Sequence, residues 1–83
     1  MKREEIRTTV LRVLGKIAPE ADLGSVPEDA ALREELEIDS MDFLNFAIGL
    51  HDAFGVDIPE ADAPHLASLR GCLDYLAARL DAR

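Results

Sequence analysis

The fold of this chain depends above all on residues 40–54, whose sequence is SMDFLNFAIGLHDAF. At about 100° per residue, one helical face collects Phe43, Phe46, Ala47, Leu50 and Phe54. A second and smaller apolar stripe, formed by Met41, Leu44 and Ile48, lies well away from that face. Because only one stripe can face the core, we expect the smaller one to be partly exposed, as a partner-binding surface would be. The alternative is that a nearby loop covers it.

The start of this helix has its own signals. Asp39 can act as the N-cap, and Asp42, three residues later, would complete an acidic relative of the capping box. Ser40 would then lie in the first turn, with its hydroxyl exposed at the positive end of the helix dipole. Such a position suits a side chain that carries a phosphodiester. Taken alone, an Asp-Ser pair before an apolar helix usually means capping and nothing more.

A first helix is indicated by apolar residues at helical spacing between about residues 2 and 17. They are Ile6, Val10, Val13, Leu14 and Ile17. Pro19 marks the end of this helix, and a long connection follows. A loop of such length in a small domain tends to carry a short helical turn, which residues 30–32 together with Leu36 could anchor to the core.

The sequence of the second half of the chain predicts two more helices. Gly55 ends the second helix, and a short extended link follows. Pro59 opens a brief third helix around residues 60–63, which Pro64 limits. Ser68 can cap a fourth helix, whose inner face would be Leu69, Cys72, Leu73, Leu76 and Leu80. The sequence therefore predicts an all-α fold: a small four-helix bundle with three main helices, one short helix and a long loop between helices one and two.

Length and composition are compatible with this bundle. A chain of 83 residues is expected to form a single domain, residues 1–83, only slightly above the size that usually needs disulfides or metals. Hydrophobic residues make up 48% and aromatic residues 5%, which indicates an aliphatic core. The lone cysteine, Cys72, allows no internal disulfide and favours a reducing compartment. Without a signal segment or a bilayer-spanning run, the sequence predicts a soluble, cytoplasmic protein.

The net charge of -8 is unevenly distributed. Basic residues lie on the first helix and on the last, where Arg70, Arg79 and Arg83 stand. Between residues 17 and 69, the sole Lys or Arg is Arg33. This acidic middle segment would repel nucleic acid and anionic membranes and would attract basic protein surfaces. The alternative is that an acidic surface merely keeps a small domain soluble.

Few residues could act as metal ligands or nucleophiles. His51 and His65 have no second ligand at a useful spacing. Cys72 falls on the inward face of the fourth helix, where it is expected to be a small core residue. The acidic loops lack the ligand pattern of an EF-hand, although crowded carboxylates could bind divalent cations weakly. No acid/base and nucleophile constellation is evident, which argues against an enzyme.

Several segments, in order, resemble those of acyl carrier proteins. Residues 31–42, ALREELEIDSMD, are similar to the family's segment that ends in Asp-Ser-Leu. After the apolar helix, residues 54–59, FGVDIP, resemble the link into the family's third helix. Residues 73–76, LDYL, resemble part of its last helix. The similarity covers roughly residues 30–80, and an amphipathic first helix is also in place.

This resemblance implies a carrier that is a substrate for enzymes. A phosphopantetheinyl transferase would use coenzyme A and Mg²⁺ to esterify Ser40, beside Asp39, with 4′-phosphopantetheine. The terminal thiol of that arm would carry an acyl group as a thioester. The transferase, and acyl-transferring or synthase enzymes with basic surfaces, would bind a surface formed by Asp39, Met41, Asp42, Leu44 and Ile48. We also expect a monomer. The acidic middle segment and the lack of a bilayer-spanning run predict that it neither binds nucleic acid nor inserts into membranes.

The chain departs from the family pattern at several positions. Glu37 stands where glycine is common, and Met41 stands where leucine is usual. Along the second helix, Asn45, His51 and Ala53 occupy positions that are often glutamate, so the acidic face is thinner. These differences favour a specialised lipid or secondary-metabolite pathway, while fatty-acid and polyketide pathways stay open.

Two alternatives to an acyl carrier stay open. A peptidyl or aminoacyl carrier would share the modified serine, but such carriers more often have a Gly-Gly pair before it, which is absent here. An unmodified helical interaction module would use Ser40 only as a cap and would dock the second stripe on a basic partner.

Overall fold

The computed structural model describes residues 1–81, which form helices joined by links. The elements are α1 (Arg3–Ile17), a 3₁₀ turn (Leu23–Ser25), α2 (Leu32–Glu35), α3 (Ser40–Phe54), a 3₁₀ helix (Glu60–Leu66) and α4 (Leu69–Asp81). The described residues contain no strand, only an isolated bridge between Ala31 and Ser68. The all-α prediction is confirmed, and predicted helices one, two and four are α1, α3 and α4. Arg83, expected on the last helix, lies outside the described residues.

The three main helices bury the faces that their spacing predicts. The fully or nearly fully buried side chains of these helices are Ile6, Val10, Val13, Leu14, Phe46, Leu50, Phe54, Leu69, Cys72, Leu73 and Leu76. At the edges of the same faces, Ile17, Phe43, Ala47 and Leu80 are partly buried. Burial of a side chain of this size contributes roughly 1.5–3 kcal/mol relative to exposure. Packing of these faces therefore positions α3 and α4 against α1.

The long connection between α1 and α3 is attached to the N-terminal end of α4. Leu32 is fully buried, and its backbone N–H donates to the carbonyl oxygen of Ala67 at 2.8 Å. The N–H of Arg70 donates to the carbonyl oxygen of Glu28 at 2.9 Å. The helical turn that we expected at residues 30–32 begins instead at Leu32, because Ala31 adopts an extended conformation to form the bridge with Ser68.

The predicted end of the third helix at Pro64 is wrong. The segment is a 3₁₀ helix that continues through Pro64 to Leu66. Proline lacks an N–H but keeps its carbonyl group, and the Pro64 carbonyl oxygen accepts from the N–H of Ala67 at 3.3 Å. The Leu66 side chain is fully buried in the core. Burial of Leu66 therefore stabilises the continuation beyond the proline.

A polar cluster joins the 3₁₀ helix to α4. The hydroxyl of Tyr75 donates to the Asp62 carboxylate at 2.7 Å, and Arg79 Nη2 donates to the same oxygen at 3.0 Å. The Tyr75 hydrogen bond, and then the charge of Arg79, lower the pKa of Asp62. Partial burial and the bond to Asp62 raise the pKa of Tyr75. The ring of His65 stacks on Tyr75, with 5.5 Å between ring centroids.

Candidate functional site

Ser40 is the first residue of α3 and is exposed to solvent. Asp39 precedes it in an extended conformation and accepts a hydrogen bond at Oδ1 from the N–H of Asp42, at 2.8 Å. The predicted N-cap is therefore confirmed. Other N–H groups of the first turn and the helix dipole favour negative charge at this end of α3.

The capping box predicted for Asp39 and Asp42 is only half formed. Within residues 1–81, no hydrogen bond runs from the Asp39 N–H back to the Asp42 carboxylate. The capping box normally uses Glu or Gln at this position, and aspartate is one methylene shorter. At the start of α1, by contrast, Glu5 Oε1 accepts from the Lys2 N–H at 2.9 Å. The expectation of a reciprocal bond at Asp42 is wrong for this reason.

Arg33 also belongs to the site, and the sequence did not indicate this. Its Nη2 donates to Ser40 Oγ at 3.1 Å. Between the two residues the chain reverses through Glu37, whose φ of 53° is in the left-handed region. The reversal also brings the N–H of Ile38 to within 3.1 Å of the Arg33 carbonyl oxygen. The one sequence signal for this residue is its position as the sole cation of the acidic middle segment.

The second apolar stripe of α3 is exposed next to Ser40. Met41, Leu44 and Ile48 are 64%, 54% and 49% exposed. These are large values for apolar side chains in a domain whose core is otherwise well covered. The expected exposure is confirmed, and the alternative of a covering loop is wrong. Asp42, the remaining residue predicted for partner contact, is partly exposed beside the stripe.

An open groove of about 810 Å³ begins at Ser40 and runs along α3. One wall consists of Phe43, Leu44, Ala47, Ile48 and His51, and the other wall is the segment that leads into the 3₁₀ helix, from Asp57 to Glu60, with Ala63. Most of these side chains are apolar. A flexible chain attached at the start of α3 could therefore place an apolar end in this groove.

The other reactive residue types have structural roles. Cys72 is fully buried, its Sγ lies 3.5 Å from the carbonyl oxygen of Leu66, and burial raises the pKa of the thiol to about 12. His51 Nδ1 lies 2.9 Å from the carbonyl oxygen of Val56. Among residues 1–81, no three His, Cys, Asp or Glu side chains are grouped so that they could hold a metal ion. No helix in the described range is long and apolar enough to cross a membrane.

Comparisons with known proteins agree with this geometry. Residues 4–76 match the family model described as a phosphopantetheine attachment site. The chain is 32% identical to an acyl carrier protein of Rubrobacter xylanophilus, over 92% of this chain and 93% of the relative. It is also 30% identical to the polyketide-8 synthase acyl carrier protein 2 of Streptomyces avermitilis, over 96% and 86% of the two chains.

The chain belongs to the acyl carrier protein family. The fold agrees, because the solved acyl carrier protein of Enterococcus faecalis superimposes with a TM-score of 0.79 at 24% identity, over 95% of this chain and 99% of that one. Acyl carrier proteins are carriers rather than enzymes, and they hold a covalently attached 4′-phosphopantetheine.

The residues near the start of α3 fit this cofactor. Ser40 offers an exposed hydroxyl for a phosphodiester, and the guanidinium of Arg33 lies within hydrogen-bond distance of its oxygen. The exposed end of α3 leaves room for a long substituent. An acyl carrier protein also needs an accessible surface for its partner enzymes, and the stripe of Met41, Leu44 and Ile48 is adjacent to this hydroxyl.

Proposed function

We propose that Ser40 is the attachment site of 4′-phosphopantetheine and that the arm carries acyl groups as thioesters. The observation that carries this proposal is the position of the hydroxyl, exposed at the first residue of a 15-residue helix. The chain has two other serines. Ser68 is partly buried and accepts from the Gly71 N–H, while Ser25 ends a three-residue 3₁₀ turn. Only Ser40 combines exposure with the N-terminus of a long helix.

The loading reaction uses Ser40 as the nucleophile. A bond forms between Ser40 Oγ and phosphorus, the phosphoanhydride bond of coenzyme A breaks, and the adenosine bisphosphate half of coenzyme A leaves. The proton of the hydroxyl passes to a base. Asp39 does not fit this role, because its carboxylate already accepts from the Asp42 N–H and caps α3. We therefore assign the base and the Mg²⁺ to the phosphopantetheinyl transferase.

Incubation with coenzyme A, Mg²⁺ and a broad-specificity transferase tests this proposal. The intact mass should increase by one phosphopantetheinyl group per chain. Proteolysis followed by mass spectrometry should place the added mass on the peptide that contains Ser40. An unchanged mass, or an added group on a peptide with Ser25 or Ser68, would contradict the proposal and would favour the unmodified interaction module.

We further propose that partner enzymes bind the surface formed by Asp39, Met41, Asp42, Leu44 and Ile48. Exposure of three large apolar side chains beside two carboxylates supports this, because basic partner surfaces would gain both charge complementarity and apolar contact. The partners would include the transferase and acyl-transferring or synthase enzymes.

The Leu44→Ala variant tests this surface. Because Leu44 is 54% exposed, its truncation should leave the fold intact. We expect kcat/KM of the transferase to fall about tenfold, as for a contact worth about 1.4 kcal/mol. Thr8→Ala, an exposed substitution on α1, is the matched control. Equal kcat/KM values for Leu44→Ala and wild type would exclude Leu44 from the docking surface.

The names of the relatives bear on the pathway that this carrier serves. Relatives of this chain include carriers named simply as acyl carrier proteins and one named for a polyketide synthase. We propose a fatty-acid, polyketide or specialised lipid or secondary-metabolite pathway. Mass analysis of the holo protein from its native host would identify the bound group. An acyl thioester supports the proposal, whereas an aminoacyl thioester would assign the chain to the peptidyl carriers.

A further inference from the structure

The Arg33 guanidinium contacts a neutral hydroxyl and forms no ion pair among residues 1–81. Its Nη2 donates to Ser40 Oγ at 3.1 Å. Ion pairs among residues 1–81 instead use Arg3, Arg7, His51, Arg70 and Arg79. Arg33 makes no such pair, although glutamates stand at positions 34, 35 and 37. An arginine has five N–H donors, so most of its capacity to bind an anion is unused.

The backbone fixes the position of Arg33 relative to Ser40. Arg33 follows Leu32 on α2. The Leu32 side chain is fully buried, and the Leu32 N–H donates to the carbonyl oxygen of Ala67. The Arg33 carbonyl oxygen accepts from the N–H of Ile38, another buried residue, at 3.1 Å. The left-handed conformation of Glu37 closes the loop between them. The fold therefore holds the backbone of Arg33 at a place from which its guanidinium reaches Ser40.

The positive charge of Arg33 becomes favourable for stability once Ser40 is esterified. A phosphodiester adds a negative charge within three positions of the carboxylates of Asp39 and Asp42. The N-terminus of α3 offsets part of this repulsion, but its effective charge is only about half of a unit charge. Arg33 supplies a full positive charge at hydrogen-bond distance from the oxygen that would become the ester oxygen. Its planar fork matches the two non-bridging oxygens of a phosphodiester.

We propose that Arg33 is a positioning residue of the loaded carrier, whose guanidinium pairs with the phosphodiester on Ser40 and restrains the first atoms of the arm. This proposal rests on the proposed function of Ser40. It assigns the single cation of the acidic middle segment to the attached group rather than to a partner enzyme or to the fold. Before loading, the same guanidinium donates to the free hydroxyl, so the site needs little rearrangement when the arm is added.

Melting temperatures of apo and holo protein test the pairing directly. In the wild type at low ionic strength, loading should raise the melting temperature by about 1–8 °C, the range for one exposed ion pair in a domain of this size. In Arg33→Gln the rise should disappear or become a decrease, because only the N-terminus of α3 then offsets the repulsion between the carboxylates and the phosphodiester. Arg33→Lys should restore part of the rise. About 1 M NaCl should remove it from the wild type.

Controls separate the pairing from a general effect of charge. Arg70→Gln removes an arginine that pairs with Glu28 and Asp29, so it should lower apo and holo melting temperatures equally and leave their difference unchanged. The phosphorus NMR resonance of holo protein should also move on Arg33→Gln and stay in place on Arg70→Gln.

Each outcome decides a different question. Intact mass before each melt establishes whether Ser40 is loaded, and a wild type that cannot be loaded overturns the proposed function together with the pairing. Suppose that wild type and Arg33→Gln are both loaded. If the difference in melting temperature between holo and apo protein is the same for both, and the phosphorus resonance is also the same, the pairing is wrong but the proposed function stands. A holo-minus-apo difference in melting temperature that is smaller in Arg33→Gln than in wild type, and partly restored in Arg33→Lys, supports the pairing.

Discussion

Replacement of Ser40 with alanine should leave a folded protein that accepts no phosphopantetheinyl group. The substitution removes the only atom that could form the ester at the start of α3. Loss of a nucleophile of this kind should reduce loading by at least about 10³-fold. Intact mass after incubation with coenzyme A, Mg²⁺ and transferase measures the effect, and a time course with increasing enzyme sets its lower limit.

The matched control for this loss is Ser25→Ala, which removes another exposed serine hydroxyl. This control should load at the wild-type rate. Ser40→Ala should change the free energy of unfolding by no more than about 0.5 kcal/mol, because Asp39 still caps α3 and the lost hydroxyl is exposed. Full loading of Ser40→Ala would assign the ester to a different side chain.

A Gly71→Ala substitution should lower the stability of the fold strongly. A Cβ atom at Gly71 would overlap the carbonyl oxygen of His65. That oxygen belongs to the backbone of the 3₁₀ helix, which Leu66 and the Asp62–Tyr75 hydrogen bond hold against α4. Overpacking costs about 1–3 kcal/mol, and contact with backbone places this case at the upper end. Alanine has a helix propensity about 1 kcal/mol more favourable than that of glycine, so the free energy of unfolding should fall by about 2 kcal/mol in total.

Thermal or urea unfolding measures this loss, which corresponds to a decrease of about 10 °C in melting temperature for a domain of this size. Gly15→Ala is the matched control, because it also adds a methyl group within a long helix. Its nearest neighbour would be Leu23 Cδ1 at 3.5 Å, an ordinary contact, so this variant should become more stable by up to about 1 kcal/mol. Equal shifts in the two variants would show that the His65 carbonyl group does not restrict position 71.

Helical periodicity correctly predicted which of the two apolar stripes of α3 is buried and which is exposed. Phe46 and Leu50 are fully buried, while Leu44 and Ile48 remain about half exposed. Both results follow from the helical repeat, because a helix that packs on one side of a small bundle can bury only one stripe. The cap at Asp39 was equally predictable, since it depends on bonds within a single turn. Local geometry therefore predicted the position and exposure of Ser40.

Two of the errors have a common origin in contacts between distant segments. The 3₁₀ helix passes Pro64 because Leu66 is buried against the core. Ala31 stays extended because it pairs with Ser68, far along the chain. The missing half of the capping box differs, since it follows from the short side chain of Asp42 and could have been predicted from the sequence.

The sequence by itself determined the helices, their buried faces and the location of a serine at the start of the most apolar helix, because each of these depends on residues within one or two helical turns. Only the tertiary structure decided that Arg33 reaches Ser40. That contact requires Leu32 to be buried beside Ala67 and the chain to reverse at Glu37. The environment of the hydroxyl therefore depends on packing between segments that no local pattern connects.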